Sequence, residues 1–167
     1  MADHAAHQDN VEKVAALIKE IDFGMMTTVD ATGRLNSRPM STNKKVEFDG
    51  DIYFFTYGDT AKVHQIETKP HVNVAFADPK TQTYVSLSGR AELIRDKAKM
   101  AELWQPELKA WFPKGLDEPD IALLKVNADQ AEYWDSPSSP IAHALSLAKV
   151  ALTGKPAQPG DNEKVQL

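Results

Sequence analysis

No cysteine occurs anywhere in the 167 residues. That absence excludes disulfides, thiolate nucleophiles, cysteine-ligated zinc and iron–sulfur clusters, so redox chemistry here would need a bound cofactor. A basic surplus is missing as well. The formal net charge is −5, and the Lys44-Lys45 pair is too short to make the clustered basic surface that nucleic-acid phosphates require. No apolar run approaches the roughly 20 residues that cross a bilayer. The start, Met1-Ala2-Asp3-His4, has neither the basic nor the apolar region of a secretory leader. These gaps point to a soluble cytoplasmic protein with no nucleic-acid or membrane partner. No internal repeat or interdomain linker is visible either, and a hydrophobic content of 42% over this length supports one domain with a real core.

Ile52-Tyr53-Phe54-Phe55-Thr56-Tyr57-Gly58-Asp59-Thr60-Ala61-Lys62 carries the most chemistry. An aromatic strand runs into a Gly-Asp-Thr turn. Thr60 or Asp59 is a good helix N-cap, which puts Lys62 in the first turn of a helix through Val63 and Ile66. The strand end therefore offers helix amides, a hydroxyl and an ammonium to one anion, beside aromatic side chains for a flat ring. A plainer reading makes Phe54 and Phe55 core and leaves Lys62 in solvent. Upstream, Asn36-Ser37-Arg38-Pro39-Met40-Ser41-Thr42-Asn43 is too polar for a purely structural strand. It suits a polar ligand, and the fork of Arg38 fits phosphate better than a lysine does. Pro39 cannot donate to a ladder, so this strand belongs at an edge or a bulge.

The remaining pattern is hairpins with helices inserted or appended. Residues 1–9 are expected to be disordered, 10–154 to form the domain, and 155–167 to be a tail. Val11, Val14, Ala15, Ile18 and Ile21 share one helical face, opened by Asp9 with Glu12 three residues on. Met25–Val29 and Leu35–Thr42 form a hairpin turning at Asp30-Ala31-Thr32-Gly33. Val46–Phe48 and Ile52–Thr56 flank an Asp49-Gly50 turn. Val72–Phe76 alternates and stops at Asp78-Pro79. Val85, Leu87, Gly89, Ala91 and Leu93 then face one way and Ser86, Ser88, Arg90 and Glu92 the other, with Gly89 marking a bulge or sharp coil. Met100, Leu103, Trp104, Leu108, Trp111 and Phe112 form the stripe of a helix broken or kinked at Pro106. Ile121–Val126 and Ala131–Trp134 form a last strand region interrupted near Asn127–Gln130. Ile141, Leu145, Ala148 and Leu152 suit a small helix. The fold class is α+β, a small antiparallel barrel with flanking helices.

In order and spacing, GMMTTVDATGRLNSRPM, DIYFFTYGDTAKVHQI, YVSLSGRAELIRD and AEYWD resemble the flavin-binding split-barrel proteins of the pyridoxamine 5′-phosphate oxidase superfamily, in particular the bacterial general stress branch. The Trp-Gln-Pro…Trp-Phe-Pro-Lys-Gly stretch and the closing Leu-Thr-Gly…Glu-Lys-Val-Gln-Leu extend the match. The resemblance implies a split barrel that binds FMN, with Arg38 and Lys62 on the phosphate and a hydroxyl from Thr60. Phe55 and Thr56 would line the isoalloxazine ring, and Pro39, Met40 and Ser41 the ring and ribityl chain. It further implies a homodimer whose flavin site spans both subunits, Trp134 matching an aromatic that reaches over from the partner. The plainer alternative for Trp134 is an ordinary strand-end core residue.

The chain also departs from the oxidase proper. A basic Arg-x-His-x-Arg segment holds pyridoxal phosphate there; here Asp135-Ser136-Pro137-Ser138-Ser139-Pro140-Ile141 follows Trp134. Vitamin B6 oxidation is therefore not expected. Where the oxidase has Ser-Arg-Lys, this chain has Thr60-Ala61-Lys62, one cation fewer, which would weaken affinity or relax selection between FMN and FAD. His4 and His7 have metal-like spacing without a carboxylate scaffold, so no metal is expected. His64 and His71 read as surface histidines, Asp117-Glu118-Pro119-Asp120 as a solvated loop, and spacing assembles no nucleophile–base pair. Three functions remain open: a flavin-dependent oxidoreductase with a small-molecule electron donor or acceptor, a non-catalytic flavin carrier, sensor or buffer, and a split barrel using haem or a deazaflavin.

Overall fold

The computed structural model describes residues 2–42, 48–135 and 161–167. Helix α1 (Ala2–Ile18) leads into strands β1 (Phe23–Val29), β2 (Leu35–Ser41) and β3 (Asp51–Tyr57). Helix α2 (Ala61–Thr68), strands β4 (His71–Asp78) and β5 (Thr83–Ile94), and helix α3 (Lys97–Leu103) follow. Two 3-10 turns (Pro106–Ala110 and Gly115–Asp117) precede β6 (Ile121–Asp135) and β7 (Asp161–Gln166). Every strand pairing is antiparallel, in the order β2-β1-β4-β5-β6-β3, with β7 also on β6.

Strand β6 explains why the barrel is split. One edge pairs with β5. The other pairs with β3 through Ile121–Asn127 and then with β7 through Gln130–Asp135. β3 thus ends the sheet on one side and β2 ends it on the other, with an open seam between them. The strands alternate as period two requires: Ile52, Phe54 and Thr56 of β3 are buried, as are Val85, Leu87, Gly89 and Ala91 of β5. The interior gathers Met26, Phe54, Val74, Phe76, Leu87 and Leu124, closed over by Val11, Val14 and Ile18 of α1. Val63 and Ile66 anchor α2 to this core.

Both early turns rest on asparate side chains and left-handed glycines. Asp30 Oδ1 accepts from the backbone N–H groups of Thr32 (2.8 Å) and Arg34 (3.0 Å), and Gly33 sits at φ +88°. Those bonds, with the Thr32 hydroxyl foremost, hold the Asp30 carboxyl down at about 2. Gly50 takes φ +105° while Asp51 N–H donates to Asp49 Oδ1 at 3.1 Å.

Several expectations change. The first helix starts at Ala2, not at Asp9, so a helix replaces the expected disorder; alanine-rich sequence propagates it backwards. The 155–167 tail includes β7, whose Val165 is buried on the core and whose Glu163 accepts from the Tyr133 hydroxyl at 2.5 Å. The apolar stripe from Met100 to Phe112 is not one helix. Trp104 is extended at ψ 135° and Gln105 at ψ 141°, the residue before Pro106 being driven out of the helical region. β6 runs unbroken through Asn127–Gln130, because the irregularity is a bulge. Ser88 pairs with Gln130 and Gly89 with Ala128, leaving Asp129 as the extra residue. A Cβ on Gly89 would lie 2.0 Å from the Asn127 carbonyl oxygen, so only glycine fits. The expected strand at Val46–Phe48 and helix at 141–152 fall wholly or mostly outside the described residues. No helix among the described residues is long and apolar enough to cross a membrane.

Candidate functional site in the barrel seam

The two edge strands do not pair with each other, and a cavity of about 310 Å³ occupies the seam between them. Pro39, Met40 and Ser41 of β2 form one wall, and Phe55, Thr56 and Tyr57 of β3 the other. Phe23 closes one end, Lys62 of α2 adds a cation, and Leu108, Trp111 and Phe112 form an apolar side. Pro39 is tolerated because, among the described residues, β2 pairs only with β1.

Neighbouring residues of β3 serve different layers. Phe54 is fully buried in the barrel core, whereas Phe55 turns the other way to the cluster built on Met100, Leu108 and Phe112. Phe55 meets Trp104 edge to face at 5.5 Å between centroids, and Tyr57 lies 4.9 Å from Phe112. The Tyr57 hydroxyl donates to the Trp111 carbonyl at 3.2 Å. The segment between β5 and β6 is thereby stapled onto β3. Its Trp111 remains 63% exposed at the cavity.

Arg38 turns inward beneath α2. Its Nη1 donates to Thr28 Oγ1 at 2.6 Å and to the Met26 carbonyl at 3.3 Å, and Nη2 to Gln65 Oε1 at 3.3 Å. Thr28 Oγ1 in turn donates to Gln65 Oε1 at 2.5 Å. This network orients the guanidinium while leaving part of its donor fork for a ligand. Lys62 Nζ donates to Thr60 Oγ1 at 3.4 Å, a long bond. Burial holds the Lys62 ammonium below its ordinary value, and the nearby positive charge of Arg38 pushes it the same way; burial lowers Arg38 too. Among the described residues neither cation makes an ion pair, although Lys13, Arg95, Lys99 and Lys125 each do. Two half-buried like charges held close, with no carboxylate paired to either among the described residues, are chemically suited to an anion.

Thr60 is the N-cap residue of α2 but makes no capping bond; its hydroxyl donates to the Tyr57 carbonyl at 3.4 Å. The first amides of α2 therefore have no side-chain cap, which suits an anion there. Of the residues expected from sequence, Pro39, Met40, Ser41, Phe55, Thr56 and Lys62 line the cavity, while Arg38 and Thr60 adjoin it through α2 and Lys62. Trp134 does not line it. It lies on the outer face of β6, 38% exposed, opposite Tyr84 of β5. Phe23, Tyr57, Leu108, Trp111 and Phe112 were not expected. Tyr57 could have been found, since it shares a strand face with Phe55; the others reach the seam only through tertiary packing. His64 pairs with Asp59 at 3.3 Å, both exposed, and no group of three or more metal-ligating side chains occurs among the described residues.

An antiparallel α+β split barrel with an aromatic-lined seam is the class of protein these features define. The chain belongs to the pyridoxamine 5′-phosphate oxidase-like family, whose model matches residues 9–158. It is 28% identical over 156 residues to protein bli-3 of Neurospora crassa, covering 88% of this chain and 75% of that protein. The general stress FMN/FAD binding protein of Xanthomonas citri superposes with a TM-score of 0.67 at 30% identity, over 78% of this chain and 92% of that one. A Clostridium acetobutylicum protein related to general stress protein 26 shares the fold, with a TM-score of 0.70 at 18% identity over 96% of each chain.

Proposed function

We propose that the seam binds FMN and that the protein is a flavin-dependent oxidoreductase of the general stress type. The observation that carries this is the Arg38–Lys62 pair: two adjacent cations with no carboxylate partner among the described residues, at the end of an aromatic strand and by an uncapped helix N-terminus. A phosphate dianion would neutralise both, which neither cation could match alone. The ring would lie along Phe55 and Thr56, facing Pro39, Met40 and Ser41 across the seam. Bound flavin would supply the electron-accepting ring; the chain supplies position, field and shelter from water. The FMN/FAD binding of the Xanthomonas citri protein supports the same ligand here, with FAD as the variant the missing second cation would admit.

A homodimer completes this reading. Phe23, Met25, Tyr84 and Trp134 are 52, 44, 41 and 38% exposed on strands β1, β5 and β6. Phe23 also lines the cavity, so this apolar outer face runs from its mouth, and a second copy would cover both. Trp134 would then reach the partner's flavin. Vitamin B6 oxidation is not part of the proposal, since the residue after Trp134 is the carboxylate Asp135, and the cation beside it, Lys13 at 3.2 Å, is already engaged by that carboxylate. We place the protein in the cytoplasm on sequence grounds.

A carrier or buffer without turnover is the second reading. Among the described residues that line the cavity Lys62 alone is charged, and the Tyr57 hydroxyl is engaged by the Trp111 carbonyl, which favours holding a flavin over protonating a substrate. Anaerobic mixing of the FMN-loaded protein with NADH or NADPH separates the two. Bleaching of the absorbance at about 450 nm, a property of the flavin, supports the oxidoreductase. An unchanged spectrum with either donor supports the carrier, and absence of FMN uptake by the purified protein would overturn both.

A further inference from the structure

The loop that carries Thr60 and leads into the first turn of α2, with Lys62, is held from outside the cavity by one residue. Gly58 N–H donates to the Asp120 carbonyl at 2.9 Å, and Asp59 N–H donates to Asp120 Oδ2 at 2.7 Å. Thr60 N–H turns back to the Gly58 carbonyl at 3.1 Å. All three N–H groups between β3 and α2 are thus committed, two of them to Asp120. The second carboxylate oxygen of Asp120 accepts from Arg95 Nη2 at 2.8 Å, and Arg95 Nη1 reaches the Ile121 carbonyl at 3.5 Å. Arg95 follows β5 and Asp120 precedes β6, so both ends of the inserted segment close on the loop.

Gly58 makes this approach possible. A Cβ there would sit 2.2 Å from Arg95 Nη2 and 2.8 Å from Asp120 Oδ1, so guanidinium and carboxylate rest directly on bare backbone. The Asp59 and Arg95 donors together draw the Asp120 carboxyl below its ordinary range.

We propose that Asp120, oriented by Arg95, is the positioning residue of the phosphate site: it fixes the 58–60 loop so that Thr60, Lys62 and the first turn of α2 meet the anion in register. This rests on the phosphate reading above. Asp120 touches no ligand itself, and its role differs in sign from a charge effect. A carboxylate near the site repels an anion, so removing it by electrostatics alone would tighten FMN binding. Removing a positioning residue loosens it, because misplacing a binding group by about 1 Å can cost up to a hundredfold.

The test is calorimetric titration of the full chain, freed of flavin, with FMN and with riboflavin, for wild type, Asp120→Ala, Asp120→Asn and Lys62→Ala. The expected result is an FMN dissociation constant raised about tenfold in Asp120→Ala, with riboflavin changed by less than about twofold. Asp120→Asn, whose amide oxygen still accepts from Asp59 N–H but whose NH2 cannot accept from Arg95, should recover part of the loss. Should Asp120→Ala not fold, Arg95→Gln carries the same expectation at a smaller effect. Asp120→Ala binding FMN as tightly as wild type, or losing both ligands equally, while Lys62→Ala still discriminates between them, overturns the positioning role alone. Lack of discrimination in Lys62→Ala overturns the phosphate reading and this proposal with it.

Discussion

Lys62→Ala should move two observables in opposite directions. In the unliganded protein the ammonium makes one long hydrogen bond, to Thr60 Oγ1 at 3.4 Å, and lies near the positive charge of Arg38 in a half-buried position. Removing it forfeits some stem packing and relieves like-charge repulsion, so net stability should change by no more than about 0.5 kcal/mol. For a chain of this size that is a shift of roughly 1–2 °C in melting temperature, with an increase the expected sign. In the complex the same ammonium would make a charge-assisted bond to phosphate, worth roughly 1.5–3 kcal/mol. FMN affinity should therefore fall roughly 10- to 150-fold. Riboflavin has the ring and ribityl chain but no phosphate, so its affinity should hold within about twofold. Fluorescence titration of the flavin-free protein with each ligand, beside thermal melts without ligand, gives all the quantities. Arg38→Ala is a poorer probe, because it also removes the hydrogen bonds to Thr28, Gln65 and the Met26 carbonyl. Equal losses for FMN and riboflavin, or a large drop in the unliganded melting temperature, would refute the reasoning.

The Lys62 shift sets a pH dependence. Its ammonium is lowered below 10.5 in the folded, unliganded protein, so the unfolded chain holds that proton more tightly, and this group's contribution to stability rises as pH climbs through the window ending at 10.5. FMN affinity should run the other way, complete while Lys62 is charged and falling through the same window; titration with riboflavin as reference should show no such extra fall. Gly89→Ala drives a methyl into the Asn127 carbonyl and should cost more than about 2 kcal/mol in urea unfolding, a change under about 0.5 kcal/mol contradicting the bulge geometry. Trp134→Ala should raise the flavin dissociation constant and weaken self-association in sedimentation, and a monomer that holds FMN tightly at nanomolar concentration would sink the shared site.

Local rules were enough for much of this protein. Period-two alternation in Val85–Leu93, the Asp30–Gly33 and Asp49–Gly50 turns, Pro39 at an edge and Gly89 at a bulge all follow from backbone sterics within a few residues. The cavity-lining residues Pro39, Met40, Ser41, Phe55, Thr56 and Lys62 were legible for the same reason: a polar edge strand and an aromatic strand feeding a helix are each short-range patterns. Sequence spacing does not show that these two segments face each other across an unpaired seam. Nor does it place Leu108, Trp111 and Phe112 on that seam, or seat β7 on the free edge of β6, because each requires chain segments distant in sequence to meet. Asp120 shows the limit most clearly: it reads as one acid in a solvated Asp-Glu-Pro-Asp loop, and only the closure of β5 and β6 brings it to Asp59, 61 residues away. A hydrogen bond acts over about 3 Å. The sequence could supply its donor and acceptor, but their separation was decided by the fold.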